Sequence, residues 1–234
     1  SQLCREGIVV YGVTANGGHA EYLKVPARTL VPLPEELSFA EGAAIACGTG
    51  TAYGALRRMQ LAGGQTLAVF GQGPVGLSAT LLGAKMGARV IAVETNADRA
   101  TLAKQFGADA ALDASRMDIE KTLKELTRGE GVDLALDCTG IAAARLAAVR
   151  SAKTWGTVCF VGEGGEVTLD VSRDLLRKQL TVIGSWTFSA MGQAECARFV
   201  ADNRIALERI FTHRWNLEQV EEAYRVFDAQ SSGK

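Results

Sequence analysis

TLAVFGQGPVGLSATLLGAKMGARVIAVE, residues 66–94, sets out an apolar run, a glycine-rich turn, a helical stretch, a second apolar run and a terminal acid in unbroken order. Residues 67–70 form the kind of continuous apolar run that makes a parallel strand buried on both faces. Gly71, Gly73 and Gly76 follow at G-x-G-x-x-G spacing, and each has a physical task. Gly71 lets the chain turn tightly off the strand, Gly73 has no Cβ to block an approaching phosphate, and Gly76 lets the next helix pack closely on the sheet. Pro74 and Val75 open that helix. Proline lacks an N–H where several are unpaired anyway, and the remaining first-turn N–H groups combine with the helix dipole into an anion site. The second strand, 89–93, ends in Glu94, about 20 residues beyond the turn, where a carboxylate can accept hydrogen bonds from ribose hydroxyls. The expected ligand is a dinucleotide held through its pyrophosphate.

Glu94 also bears on which dinucleotide. Charge-assisted hydrogen bonds contribute roughly 1.5–3 kcal/mol each, whereas a 2′-phosphate meets the carboxylate as a like charge. A preference for NAD of at least tenfold, about 1.4 kcal/mol, is expected. Arg99 lies close enough in sequence to contact a phosphate, which keeps NADP open. The glycine pattern alone would also fit an ordinary tight turn. Its strand, helix, second strand and acid in register select the dinucleotide reading.

The 234 residues are 47% hydrophobic and 22% charged, the balance of a globular chain able to bury roughly 70–75% of its unfolded surface. A net charge of −1 without a basic cluster favours neither nucleic acid nor an anionic membrane as partner. No apolar segment approaches the roughly 20 residues of a membrane span, and the first residues carry no secretion signal pattern, so a cytoplasmic setting is the default. Cys4, Cys47, Cys138, Cys159 and Cys196 are odd in number and scattered, without a C-x-x-C pair. That argues against a disulfide framework or a self-contained zinc knuckle. Cys138, Cys159 and Cys196 read as small buried hydrophobes.

After Gly63-Gly64 the chain alternates strand and helix in the manner of a doubly wound parallel sheet. Strands are expected at 66–70, 89–93, 110–112, 132–137, 157–161 and 180–183, with helices at 76–85, 97–106, 119–126, 142–149 and 173–177. Six strands match two mononucleotide-binding halves. Ahead of them, 8–11 and 20–25 are β-type runs separated by Asn16-Gly17-Gly18, and three of the four prolines fall between 26 and 34. This predicts an antiparallel, β-rich piece ending in a linker. Ser38 and Glu41 form a capping box for a helix through 42–47, and a second helix covers 51–59. Past Ile210, a strand at 211–215 precedes an amphipathic helix at 217–227 with Leu217, Val220, Ala223, Tyr224 and Phe227 on one face.

Six stretches together resemble the medium-chain, zinc-type alcohol dehydrogenase family: NGGHAEYLKVPA (16–27), ACGTGTAYGALRR (46–58), VFGQGPVGL (69–77), LDCTG (136–140), GTVCFVG (156–162) and FTHRWNLEQVEEAY (211–224). The resemblance covers nearly the whole chain. It implies a Rossmann doubly wound parallel six-stranded sheet with remnants of a β-rich GroES-like catalytic domain. Residues 1–45 would be the partial catalytic domain and linker, 46–209 the dinucleotide-binding domain, and 210–234 the return to the catalytic domain. It implies hydride transfer between a small alcohol and its aldehyde or ketone, with NAD as cofactor and zinc polarising the substrate oxygen in the full-length protein. Cys47 matches one ligand of the catalytic zinc and Thr51 a residue contacting the nicotinamide, which makes them the candidate catalytic pair. Thr139, Gly162 and Ser185 match loops beside the cofactor. Cys47, where polyol dehydrogenases of the family often carry a glutamate, tilts the substrate toward simple alcohols.

The match also has gaps. Cys4 resembles the last of four structural-zinc cysteines, but no other cysteine precedes Cys47. The upstream segment with the first zinc cysteine, the His-Glu pair and the proton relay is absent, and the chain stops at Ser232-Gly233-Lys234. An incomplete representative is therefore expected. One cysteine cannot hold a catalytic zinc, which takes three protein ligands. His19 and His213 read as packed or hydrogen-bonded structural residues, and the bland alternative for Cys47 is a buried thiol beside a helix. Three other readings stay open: a dinucleotide-binding module without turnover, a zinc-free reductase of the same superfamily and, more distantly, a methyltransferase. The family implies homo-oligomers, dimer or tetramer, with 180–188 contributing by edge pairing of sheets; a covered edge strand is the alternative.

Overall fold

The computed structural model describes residues 7–229. It divides into two compact units, Cys47–Trp186 and the combination of Ser1–Ala46 with Thr187–Lys234. Residues 187–209, attached to the dinucleotide-binding domain in the sequence reading, thus fall with the terminal unit.

The Cys47–Trp186 unit is a six-stranded parallel sheet of β1 (Thr66–Phe70), β2 (Arg89–Glu94), β3 (Ala110–Asp113), β4 (Val132–Asp137), β5 (Ala152–Phe160) and β6 (Thr181–Gly184) in the order β3-β2-β1-β4-β5-β6. This is the Rossmann order, with its switch point between β1 and β4. The central strands are buried almost end to end, as β1 after Thr66 and β2 after Arg89 demonstrate; only a run such as Leu-Ala-Val-Phe tolerates burial on both faces. Among the described residues the helices are α1 (Phe39–Ala44), α2 (Gly50–Arg58), α3 (Pro74–Lys85), α4 (Ala97–Gln105), α5 (Ile119–Leu126), α6 (Ala142–Ser151), α7 (Ala190–Asp202) and α8 (Val220–Ala229), of which α1, α7 and α8 belong to the terminal unit. α3 and α4 cover one face of the sheet, with α2 packed on α3, and α5 and α6 cover the other, where Phe70, Ile91, Val93, Leu123, Ala135 and Val158 meet in one core.

Local chemistry starts and stops these helices. Asn96 Oδ1 accepts from the N–H groups of Asp98 and Arg99 to open α4, and Asp118 does the same for Lys121 N at α5, each satisfying donors that the first turn leaves over. Gly107, at φ +103°, ends the α4 segment in a conformation that glycine adopts without penalty.

Three strand expectations fail. Residues 8–11 and 20–25 form no strand; only an isolated bridge joins Tyr11 to Ala15, and the turn sits there, closed by Gly12 N to Ala15 O at 2.8 Å, ahead of Asn16-Gly17-Gly18. Residues 211–215 are likewise irregular. β-type composition becomes a strand only against a neighbour's backbone edge, and an isolated hairpin is marginal in water. β5 begins at Ala152 rather than at 157, because Ala152 pairs with Val132 before the chain loops out and returns to register at Thr157 opposite Leu134. The excursion carries Trp155 at φ +60° and 73% exposed. The helix expected at 173–177 is a π-type turn, Val171–Leu175, followed by a 3-10 turn, Leu176–Lys178.

In the terminal unit the Ser38–Glu41 capping box is present. Ser38 Oγ also donates to Glu208 Oε1 at 2.6 Å and Glu41 Oε1 accepts from Leu207 N at 3.2 Å, binding α1 to the 3-10 turn Leu207–Ile210. The Ser38 hydroxyl, with Arg214 beside it, holds the Glu208 carboxyl below its ordinary value. The helix expected at 217–227 is a 3-10 turn, Leu217–Gln219, running into α8, and Leu217, Val220, Tyr224 and Phe227 on it are exposed. Among the described residues, no helix is long and apolar enough to cross a membrane.

Candidate dinucleotide site

The turn between β1 and α3 is built as its glycines require. Gly71 takes φ +82° and donates its N–H to Val93 O at 2.8 Å. A Cβ on Gly76 would lie 1.8 Å from Gly71 O, a contact that only the missing side chain permits. A Cβ on Gly73 would meet nothing within 4 Å, so this glycine faces open space where the protein itself needs no clearance. Gly73 caps α3 with Pro74 at its first position. The N–H groups of Gly73, Val75 and Gly76 have no acceptor within the helix. Together they form a donor cradle at the positive end of the helix dipole.

Glu94 stands at the end of β2, 8% exposed, but its carboxylate is engaged. Oε2 accepts from Gln72 N at 2.7 Å; Oε1 accepts from Thr95 N at 2.8 Å, Asn96 N at 3.0 Å and Thr95 Oγ1 at 3.3 Å. A carboxylate offers about two lone-pair sites on each oxygen; Oε1 is fully taken by its three donors, and Oε2, with one donor, is the atom left to accept a ribose hydroxyl. Gln72, fully buried, is locked in turn by Nε2 to Val69 O at 3.0 Å and by Thr80 Oγ1 donating to its Oε1 at 2.9 Å. Arg99, half-buried in the first turn of α4, shares this end of the sheet with Glu94.

Across the switch point, Asp137 closes β4. Fully buried, it accepts from Thr139 N at 2.9 Å, Thr139 Oγ1 at 2.6 Å, Gly140 N at 3.2 Å and Arg145 Nε at 3.3 Å. Arg145 also donates to Gly165 O at 2.9 Å and Gly162 O at 2.6 Å and lies over the Phe160 ring, 5.5 Å from its centroid. Thr139 abuts the glycine turn: a Cβ on Gly71 would sit 2.6 Å from Thr139 Cγ2. Ser185 is buried after β6, its N–H donating to Phe160 O at 3.0 Å, and Trp186 donates its ring N–H to Glu163.

The start of α2 joins the same end. Thr49 Oγ1 and Ser78 Oγ are 2.9 Å apart, and a Cβ on Gly48 would lie 3.5 Å from Pro74. This sets Thr51, half-buried, close in sequence to a segment that touches the cradle. Cys47 lies on a π-type turn, Ile45–Thr49, and is exposed rather than buried beside a helix. Among the described residues no three His, Cys, Asp or Glu side chains gather as a metal site, so Cys47 lacks the two companions a catalytic zinc takes. Cys4 lies outside the described residues. Burial pushes the Cys159 and Cys196 thiols up to about 12. His19 Nδ1 is 2.7 Å from Tyr224 OH; His213 Nδ1 is 3.0 Å from Thr212 Oγ1 and its ring stacks on Trp215.

Thus Gly71, Gly73, Pro74, Val75, Gly76, Glu94, Arg99, Thr139, Gly162 and Ser185 gather along the carboxyl ends of the strands, where open α/β sheets bind ligands. Gln72, Asp137 and Arg145 were missed. Arg145 had a signal: it is the one charge in the first six residues of AAARLAAVRS, a place where a lone arginine implies a buried partner.

A family model described as zinc-binding dehydrogenase matches residues 74–202. The chain belongs to the zinc-binding dehydrogenase family. This member is 41% identical over 231 residues to an uncharacterized zinc-type alcohol dehydrogenase-like protein, YphC, of Escherichia coli K12, covering 98% of this chain and 65% of the relative. It is 32% identical over 239 residues to the L-threonine 3-dehydrogenase of Bacillus subtilis, covering 100% of this chain and 67% of that one. Among solved structures, the alcohol dehydrogenase TADH from Thermus sp. ATN1 superposes with a TM-score of 0.91 at 29% identity, over 99% of this chain and 69% of that one. A putative zinc-binding dehydrogenase from Sinorhizobium meliloti 1021, bound to NADP, superposes with a TM-score of 0.86 at 28% identity, over 95% of this chain and 66% of that one. The family member thus spans 65–69% of the length of these relatives.

Proposed function

We propose that this chain is the dinucleotide-binding part of an NAD-dependent oxidoreductase that moves a hydride between a small alcohol and its aldehyde or ketone. The observation that carries the reading is the cradle at the switch point, where the helix start with its three N–H groups left over by the first turn adjoins the open space at Gly73, in a chain of this family. The cradle takes the pyrophosphate. Glu94, one charge beside the turn, disfavours a 2′-phosphate by repulsion even while most of its lone pairs are engaged; Arg99 is the residue through which NADP would gain a contact. Thr51, Thr139, Gly162 and Ser185 are assigned to the nicotinamide half, and Cys47 with Thr51 to the reacting end.

Zinc chemistry belongs to the complete enzyme in this reading. The donor set around Cys47 does not fit a catalytic zinc among the described residues, and no step is derived through the metal. That same observation supports a second reading, a dinucleotide-binding module without turnover. A zinc-free reductase of the superfamily would keep its activity in the presence of a chelator. Homo-oligomerisation through the 180–188 edge is proposed with it, supported by β6, whose Val182 is 42% exposed on a strand paired on one side only. A soluble, cytoplasmic protein without nucleic-acid or membrane partners completes the proposal.

The test is a titration with NADH followed by fluorescence, with elemental analysis for zinc on the same sample. NADH binding without zinc supports the dinucleotide-binding part, and binding with about one zinc per chain directs the search to an alcohol substrate. No NADH binding sinks the proposal.

A further inference from the structure

We infer that Arg145 is a positioning residue for the nicotinamide half of the dinucleotide, an inference that rests on the dinucleotide reading above. A doubly wound sheet offers two mononucleotide-binding halves, and the cofactor straddles them. Here the turns after β1 and β2 serve one half, through the cradle and Glu94. The segments after β4 and β5, 138–141 and 161–165, edge the other. They carry no regular structure and include four glycines, at 140, 162, 164 and 165. Such segments sample many conformations unless something fixes them.

Arg145 fixes both at once. One edge of its guanidinium faces Asp137, which holds Thr139 and Gly140 by their N–H groups; the other edge donates to the carbonyls of Gly162 and Gly165. The two segments then interlock. A Cβ on Gly140 would lie 2.2 Å from Glu163 O, one on Gly162 2.1 Å from Gly140 N and one on Gly165 2.0 Å from Gly140 O. Neither segment can shift without the other, and Thr139 transmits their position to the Gly71 turn. Arg145 itself is nearly buried, its side chain 11% exposed, with its guanidinium spent on Asp137, Gly162 and Gly165. It acts through the loops. A lysine keeps the charge opposite Asp137 but has no planar fork to span the carboxylate and two carbonyls.

The experiment compares NADH with ADP-ribose, which lacks only the nicotinamide, on the full 234-residue chain. Arg145→Lys is expected to weaken NADH about tenfold or more, the loss of about one well-formed hydrogen bond to the nicotinamide half, and to leave ADP-ribose affinity within about twofold. Gly165→Ala, whose methyl would lie 2.0 Å from Gly140 O and 3.6 Å from Arg145 Nη1, disturbs the interlock while keeping the Arg145 and Asp137 side chains themselves; it is expected to give the same selective loss and covers the case in which Arg145→Lys does not fold. Parallel loss of both ligands in the folded variants, or no loss of either, overturns the inference. A wild-type chain that binds neither ligand removes the dinucleotide reading and the inference with it.

Discussion

Replacing Glu94 by glutamine changes one atom's chemistry and almost no volume, yet the structure assigns it a large effect on stability. The carboxylate accepts from the backbone N–H groups of Gln72, Thr95 and Asn96 in a site 8% exposed. An amide oxygen can stay with Thr95 and Asn96, but the amide NH2 then faces Gln72 N, donor against donor. Leaving that buried N–H unpaired costs about 1–3 kcal/mol, and each of the two surviving backbone bonds loses about 1 kcal/mol on going from charge-assisted to neutral. The expected destabilisation is about 3–5 kcal/mol, a fall in Tm of about 6–20 °C for a chain of this size. Thermal unfolding of Glu94→Gln beside the wild-type chain, without ligand, reads this directly. A Tm within about 1 °C of wild type would refute the view that Glu94 clamps the glycine turn, and would return its carboxylate to the ribose hydroxyls alone.

The two glycines of the turn are expected to separate folding from binding: Gly76→Ala, whose methyl would overlap Gly71 O, lowers Tm by the equivalent of about 1–3 kcal/mol or more, whereas Gly73→Val leaves Tm near wild type and abolishes NADH binding in the same titration. Asp133 supplies a pH signature. Its burial raises the carboxyl, but the Lys153 ammonium at 2.5 Å and Thr66 N at 2.8 Å outweigh this and hold it below its ordinary value. The pair's contribution is therefore full above the unfolded value of about 3.9 and disappears as pH falls through the lower folded value. Urea midpoints of wild type and Asp133→Asn should differ at pH 6–7 and draw together progressively as pH falls below the unfolded value of about 3.9; a constant difference down to pH 2 contradicts the assignment. Finally, brief iodoacetamide treatment at pH 8 followed by mass spectrometry should modify exposed Cys47 and spare Cys159 and Cys196, whose thiols burial pushes up to about 12; labelling of either buried thiol before Cys47 would contradict their packing.

What was legible in the sequence was what local chemistry dictates. Residues 66–70, 132–137 and 119–126 are bounded to the residue by the sequence, because buried parallel strands are predominantly apolar, VDLALD carrying its acids only at the second and last positions, and Asp118 caps a helix by its own side chain. The glycine turn and its acid were legible for the same reason, since spacing alone fixes their tasks. The runs at 8–11, 20–25 and 211–215 misled, because strand formation depends on a partner that composition does not reveal. The early start of β5 was hidden in a three-residue excess between its pairings with Val132 and Leu134. In the site, the roles of Gln72, Asp137 and Arg145 depend on partners up to 22 residues distant along the chain, and no motif spacing announces them. The place of Glu94 at the end of β2 is legible in the sequence, but its engagement by three backbone donors belongs to the geometry of the folded turn.

The interlock of Gly140 with Gly162, Glu163 and Gly165 has a consequence for redesign. A loop graft intended to reshape the nicotinamide side will treat 161–165 as an independent cassette, as loops on Rossmann sheets invite. In this chain the exchangeable cassette has two pieces, 138–141 and 161–165, with Arg145 as their fastener. A donor loop longer or bulkier at 162 or 165 will displace the turn after β4 unless that turn is transplanted with it. Libraries should therefore diversify both pieces jointly and leave position 145 untouched.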